Sequence, residues 1–309
     1  MIQPRSTDET KLWTVGELLK WTEGYFERLG LATPRLDAEV LLAFALGKSR
    51  VELYTGYQML VEPEERSRFR TTVERRAKLV PVAYITGRRE FYSLSFEVNP
   101  SVLIPRPETE HLVEAALGEL DRPGSSATPS SASPRALDLG TGSGCVAVSL
   151  ARHREELRID ATDLSAQSLE TARRNATTHG VVDRLRFLEG DLFDALPPDV
   201  GRYRLIVSNP PYVAASELPL LPGDVRDHEP RLALLDTKSP GRDGLGFYRA
   251  IAAAAALHLE PGGLLAFEVG ANQAARVREI LQSAGYAVGE TIKDYGGIER
   301  VVTARRAAD

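Results

Sequence analysis

Three glycines in five residues, Gly140, Gly142 and Gly144, separate the short run Ala136-Leu137-Asp138-Leu139 from an apolar stretch that starts at Cys145 and continues through Leu150 into Ala151. Glycine permits a tight turn and close approach of the backbone to a ligand. The segment therefore predicts a strand, a turn and a helix whose N-terminus faces the turn. The same rhythm recurs downstream. Residues 157–162 predict a second strand ending at Asp163, and residues 186–191 a third ending at Asp191. The run Arg204-Leu205-Ile206-Val207-Ser208 predicts a buried strand. Residues 263–269 add a late strand, 271–284 a helix, and 286–292 with 299–304 a final pair of strands. Strands alternating with helices imply an α/β fold with a mostly parallel sheet covered on both faces.

The glycine spacing is G-x-G-x-G, whereas dinucleotide folds carry G-x-G-x-x-G. On this motif alone nicotinamide binding stays open. Asn209-Pro210-Pro211-Tyr212 narrows the choice. Proline fixes φ and has no N–H, and Pro211 holds Pro210 extended, so the Pro210 carbonyl is an acceptor in a preset direction. Asn209 adds a side-chain carbonyl, and Tyr212 offers a flat face to a planar group. Two adjacent acceptors match the two hydrogens of an –NH2, and holding them can direct electron density from a delocalised nitrogen toward an electrophilic methyl. The tetrapeptide follows a strand, at the end where open α/β sheets bind ligands.

Together the motifs predict methylation of nitrogen with S-adenosylmethionine as cofactor. Gly140, Thr141, Gly142 and Gly144 would surround it, with Asn209 adjoining. Asp163 would accept from the ribose hydroxyls, as in dinucleotide folds. Asp191 would meet the adenine amino group, with Leu192 or Phe193 against its ring. The expected reaction is direct in-line transfer. It needs a nitrogen placed near 3 Å from the methyl and water excluded, for which orientation supplies roughly 7–11 kcal/mol. No general base is needed before attack, and the histidines at 111, 153, 179, 228 and 258 show no metal-ligand spacing. No metal is expected.

The glycine turn, the Asn209 tetrapeptide and Leu103-Ile104-Pro105-Arg106-Pro107-Glu108-Thr109-Glu110 resemble the peptide-chain-release-factor glutamine N5-methyltransferases, the PrmC/HemK family. The resemblance also takes in Arg35-Leu36-Asp37-Ala38-Glu39, Tyr84-Ile85-Thr86-Gly87, Glu90-Phe91, Asp224-Val225-Arg226, Glu229-Pro230, Asp243-Gly244-Leu245 and Asp294-Tyr295-Gly296. It covers almost the whole chain. It implies a Rossmann-like class I S-adenosylmethionine-dependent methyltransferase domain of seven strands, the last antiparallel. It also implies a small helical domain that helps hold the substrate. The implied reaction is methylation of the glutamine in the Gly-Gly-Gln motif of class-1 release factors, with Asn209, Pro210 and Tyr212 catalytic and Asn209, Pro210, Pro211, Tyr212 and Glu229 contacting substrate. Asn-Pro-Pro-Tyr is shared with adenine-N6 nucleic-acid methyltransferases. Ribosomal-protein glutamine methyltransferases usually carry Arg-Ser-Pro where this chain has Arg106-Pro107-Glu108. Glu108 and Glu110 fit either the substrate entrance or the charge preference of a helix N-terminus. A binding module without turnover would be expected to have lost one motif, and both are intact.

At 309 residues, two domains are expected: a helical substrate-binding domain at 1–80 and a methyltransferase domain at 106–309, joined by a β-hairpin at 81–105. A flexible insertion rich in Pro, Ser and Ala is expected at 122–135. In the first domain, Thr14 with Glu17 predicts a capping box ahead of Leu18, Leu19, Trp21, Tyr25, Phe26 and Leu29. Thr33-Pro34, Ser49 with Glu52, and Pro63 predict further helix starts. Trp13 and Trp21 are expected in the core. Residues 82–104 alternate as a hairpin, with Gly87-Arg88-Arg89 near its turn.

The formal charge of −5 argues against a sequence-tolerant DNA binder. Arg75, Arg76 and Lys78 fit either a contact with an RNA-associated protein or a solvated helix face, and the solvated face is the expectation. The single cysteine, Cys145, excludes a disulfide framework and is expected to pack against its helix. Without a membrane-length apolar run or a signal-peptide core in residues 1–12, a cytoplasmic enzyme is expected, and a monomer. Residues 213–243, rich in Pro and Asp, form a long segment of the kind that serves as a lid, with Glu229-Pro230 closing the pocket.

Overall fold

A computed structural model describes residues 12–122, 133–239 and 243–307. Of the insertion expected at 122–135, residues 123–132 lie outside the described residues. The chain divides into two compact units, Met1–Gly87 and Arg88–Asp309.

The first unit is helical: α1 Val15–Arg28, α2 Pro34–Leu46, α3 Arg50–Thr55, α4 Pro63–Ala77 and α5 Val82–Thr86. The capping boxes at Thr14/Glu17 and Ser49/Glu52 form as local sequence dictates. Leu19, Phe26, Leu41, Leu42 and Leu53 fill the core. Trp21 is not in it: the ring is half exposed and stacks on Tyr25 at 5.4 Å. Arg76 departs from expectation the other way. It is buried and donates to Asp37 at 2.7 Å, because α4 turns that position inward, leaving Arg75 and Lys78 exposed.

The second unit opens with the hairpin β1 Arg88–Phe91 and β2 Leu94–Glu97. It is shorter than expected from 82–104, since 82–86 are helical and Gly87 is the left-handed cap of α5 rather than part of the hairpin turn. The turn falls at Tyr92-Ser93, both at positive φ (48° and 61°). Neither residue favours that region. Tertiary contacts hold it: the Tyr92 amide donates to Glu110 at 2.8 Å, and the Tyr92 ring meets His153 edge-on at 4.9 Å.

The remaining elements are α6 Glu110–Leu120, β3 Arg135–Leu139, α7 Cys145–His153, β4 Arg158–Asp163, α8 Ala166–Thr178, β5 Leu185–Glu189, β6 Tyr203–Ser208, α9 Gly223–His228, α10 Arg231–Leu234, α11 Gly246–His258, β7 Leu259–Glu268, α12 Ala274–Ser283, β8 Ala287–Lys293 and β9 Glu299–Arg305. Among the described residues they form a seven-stranded sheet of order β5-β4-β3-β6-β7-β9-β8, parallel except for β9. Side chains alternate between two cores, as a doubly covered sheet requires. Ala136, Leu205, Val207, Leu264, Ala266 and Val301 pack with α6 and α7. Leu137, Leu139, Ile206, Leu265, Phe267 and Val302 pack with α11 and α12.

Strand order reverses between β3 and β6, where loops leave in opposite directions and open a crevice. Their register pairs Leu139 with Ser208, and the buried Ser208 hydroxyl donates to the Leu139 carbonyl at 2.8 Å. The glycine turn and the Asn209 tetrapeptide therefore begin side by side.

Asn175 of α8 fastens the hairpin to this edge. Its side chain accepts from the Glu97 amide at 2.7 Å and donates to the carbonyls of Glu97 (3.0 Å) and Ser143 (2.8 Å). Asn175→Ala removes the partner of one buried and two part-buried backbone groups and should destabilise the second unit by about 2–3 kcal/mol. Urea denaturation checks this; a change under about 1 kcal/mol would show that those groups find other partners.

Candidate active site

The crevice is a cleft of about 320 Å³ at the carboxyl ends of β3, β4 and β6. Its floor is the glycine turn. The amides of Gly140 and Thr141 both donate to the Thr162 carbonyl at 2.9 Å, that of Gly142 to Asp163 Oδ2 at 2.9 Å, and that of Gly144 to the Thr141 carbonyl at 2.8 Å. These N–H groups are satisfied within the protein, so the turn makes a poor cradle for a pyrophosphate, which needs free amides at a helix N-terminus. This disfavours a dinucleotide. Gly140 and Gly142 line the cleft at φ 74° and 56°, and a Cβ on either would meet nothing within 4 Å.

Gly144 does not line the cleft. It sits at φ 79°, where a Cβ would lie 3.0 Å from that of Ala172 on α8, so its service is helix packing. Gly144→Ala should cost about 1–3 kcal/mol through backbone strain and this contact, readable as a lower thermal midpoint.

Carboxylates surround the floor. Asp163 spans Gly142 and Ser165, accepting from both amides at 2.9 Å. Burial raises its pKa, and the backbone donors oppose that rise. Asp138, beneath the turn, accepts from the Thr141 hydroxyl at 2.7 Å, and burial lifts it to about 6. Asp191 lies on one wall paired with Lys238 at 2.6 Å. Leu192 (φ 51°) and the half-exposed Leu164 add apolar surface. Phe193 turns away and stacks on His258 at 4.7 Å, packed with the α11 core.

On the other wall stands Asn209, whose Nδ2 donates to Thr109 Oγ1 at 3.3 Å. Pro211 lines the cleft, whereas Pro210 is buried behind it. Tyr212 also lies behind. Its carbonyl accepts from Gln273 at 3.1 Å, its ring packs against Gly270, and burial pushes its hydroxyl up to about 12. Glu229 is buried outside the lining. It accepts from the Ile104 amide at 3.1 Å and the Arg106 guanidinium at 2.5 Å, tying the segment after β6 to the segment before α6. Glu110 is spent on the hairpin turn, and Glu108 lies near Glu268 rather than in the lining. Cys145 lines the cleft, but burial pushes its thiol to about 12, so it is no nucleophile. His228 lies outside the lining.

Thr109, Lys238 and Phe247 line this site without a role assigned by the motifs, and the buried Glu268 ends the neighbouring strand. Thr109 lies inside the segment that carries the family resemblance. Glu268 could have been found as an acid closing an apolar strand beside the Asn209 strand. Lys238 and Phe247 carry no sequence signal.

Residues 17–87 match the PrmC N-terminal domain and residues 125–220 the methyltransferase small domain. The chain is 41% identical to the release factor glutamine methyltransferase of Rhodopirellula baltica, over 96% of this chain and 97% of that one. It is 42% identical to the protein of that name from Geobacter sulfurreducens, over 97% and 99% respectively. This chain belongs to the release factor glutamine methyltransferases. A solved human methyltransferase 10 domain containing protein, 18% identical with a TM-score of 0.51 over 70% of this chain and 90% of its own, shares the fold. Among the described residues no helix is long and apolar enough to cross a membrane, and no acid, His or Cys cluster could hold a metal ion.

Glu268, at the end of β7, is 2% exposed, and burial raises its pKa from the ordinary 4.5 to about 7. A raised folded value means stability is full below about pH 4.5 and is lost as pH climbs through about 7. Relative to Glu268→Gln, the wild-type enzyme of this family should lose about 3 kcal/mol between those limits. Urea denaturation at either end of the window measures it; parallel stability curves would refute it.

Proposed function

We propose that this enzyme transfers the methyl group of S-adenosylmethionine to the side-chain amide nitrogen of the glutamine in the Gly-Gly-Gln motif of class-1 peptide chain release factors. One observation carries the site assignment: the glycine turn and Asn209 wall a single cleft from adjoining, register-locked strand ends. The residues fit the cofactor. Side-chain-free Gly140 and Gly142 allow close approach, Asp163 retains acceptor capacity for ribose hydroxyls, and Leu164 and Leu192 offer apolar faces to a ring. When bound, the cofactor supplies a methyl already activated by its sulfonium.

The protein then binds and orients. Asn209 Oδ1 and the Pro210 carbonyl accept the two amide hydrogens, and Pro211 and Tyr212 fix the loop that carries them. Glu229 serves the substrate side through Arg106 and Ile104. Lys238 and Phe247 complete the lining and limit water. The helical unit would hold the release factor; Leu29, Leu36, Phe44, Val51 and Tyr54 expose apolar surface on it. The acidic chain (pI near 5.7) suits a protein substrate better than DNA. A cytoplasmic monomer completes the reading.

Incubating the enzyme with labelled cofactor and a release factor should place one methyl on the Gly-Gly-Gln peptide, read by mass spectrometry. Labelling of nucleic acid instead would favour an adenine methyltransferase. Asn209→Ala should lower kcat about 100-fold, near 3 kcal/mol, while leaving cofactor Kd almost unchanged. Asp163→Ala should weaken cofactor binding first. Calorimetric titration separates the two, and equal loss of cofactor affinity in Asn209→Ala would count against the assignment.

A further inference from the structure

Lys238 Nζ donates to Asp191 Oδ2 at 2.6 Å, and both residues line the cleft together with Leu192 and Phe247. A carboxylate only accepts and an ammonium only donates, so the pair presents an acceptor and a donor side by side. Adenine carries the complement: its amino group donates, and the ring nitrogens that flank it, N1 and N7, accept. Given the reading of this cleft as the S-adenosylmethionine site, we infer that Lys238 is a specificity residue for the purine ring. Asp191 accepts from the amino group while Lys238 donates to a ring nitrogen beside it.

An ammonium has three N–H donors, and Asp191 takes one of them. The backbone around Lys238 is fixed. Its amide donates to Asp236 Oδ1 at 2.9 Å, and Asp236 Oδ2 accepts from the Gly246 amide at 2.7 Å. The buried Asp236 thus ties Lys238 to the first turn of α11. The two segments cross so closely that a Cβ on Gly246 would lie 2.3 Å from the Ser239 amide nitrogen. Phe247 follows directly, and its ring centroid lies 5.5 Å from Lys238 Nζ. That attraction steadies the ammonium without consuming a donor. Asp236 also reaches the tetrapeptide loop, since its amide donates to the Val213 carbonyl at 3.0 Å, one residue past Tyr212. Lys238 therefore enters the cleft from a braced piece of chain.

Folding alone gives this pair little reason to exist. The side chains of Lys238 and Asp191 are 27% and 43% exposed, and an ion pair so open to water contributes little to stability. Its placement in the cleft does have a chemical use. Asp191 by itself distinguishes an amino group from a carbonyl at the same ring position, because a carbonyl would set acceptor against acceptor. It cannot sense the ring nitrogens, which have no proton to give. Only a donor can read them, and Lys238 supplies one beside the carboxylate. A pair that merely fastened two segments together would be indifferent to those nitrogens.

The test is calorimetric titration of wild type and Lys238→Met with S-adenosylhomocysteine and with two analogues in which carbon replaces N1 or N7. Wild type should bind one of the analogues at least about tenfold more weakly than the parent, the loss expected for a hydrogen bond to a charged group. Lys238→Met should bind the parent about tenfold more weakly than wild type does, and its own gap between parent and that analogue should close to within about twofold. A gap that persists in Lys238→Met, whatever the absolute loss, overturns the inference. Wild type that binds both analogues within about twofold of the parent overturns it as well. Nitrogen-15 NMR of Lys238 Nζ in the wild-type protein is the second measurement. Its resonance should move with S-adenosylhomocysteine and move much less with the discriminated analogue; equal shifts with both also overturn the inference. Wild type that binds neither S-adenosylhomocysteine nor S-adenosylmethionine would defeat the reading of the cleft itself, a different outcome.

Discussion

The pairing of β3 with β6 is the constraint on which the site depends. Leu139 opposite Ser208, locked by the Ser208 hydroxyl, sends two loops from one point in opposite directions. Side chains on a strand alternate, so a slip of one residue would turn every inward position outward. It would bury Asn209 or expose Leu205 and Val207, which now pack under α6 and α7. Hydrophobic alternation therefore fixes the register, and the register fixes the chemistry. The rest of the unit supports that edge. Asn175 holds the glycine turn to the hairpin, and Glu229 holds the segment after β6 to the segment before α6.

What was legible in the sequence is what is local. The capping boxes at Thr14 and Ser49 need only residues three apart. The strands declare themselves by apolar runs, and the glycine turn and Asn209 by residue chemistry. What was hidden depends on partners far along the chain. The hairpin turn at Tyr92-Ser93 contradicts local preference and exists because Glu110 and His153 meet it. The Arg76 partner is Asp37, thirty-nine residues away, so a charged helix face conceals a buried ion pair. Thr109 and Asn209 lie a hundred residues apart. Gly144 and Phe193 belong to motifs that touch the cleft, yet one packs a helix and the other a core.

Buried acids are the cost of this arrangement. Asp138 and Glu268 are both 2% exposed, and burial raises both pKa values. An apolar substitute at either place would relieve that penalty. Asp138 spends its charge on Thr141 and so shapes the turn. Glu268 has no comparable structural return: one of its oxygens lacks a partner. Functional sites are where stability is surrendered in this way.

A weak nucleophile sets the standard that this shell must meet. An amide nitrogen gains from the protein only what orientation and preset acceptors provide, and a displacement of about 1 Å can cost a hundredfold. An acceptor on a loop that turns freely would forfeit that gain. Here the loop leaves a central strand, prolines restrict its backbone, and the Tyr212 carbonyl is pinned by Gln273. The remaining freedom is rotation of the Asn209 carboxamide, which backbone rigidity cannot remove. The Thr109 hydroxyl, which accepts from Asn209 Nδ2 at 3.3 Å, restrains that rotation.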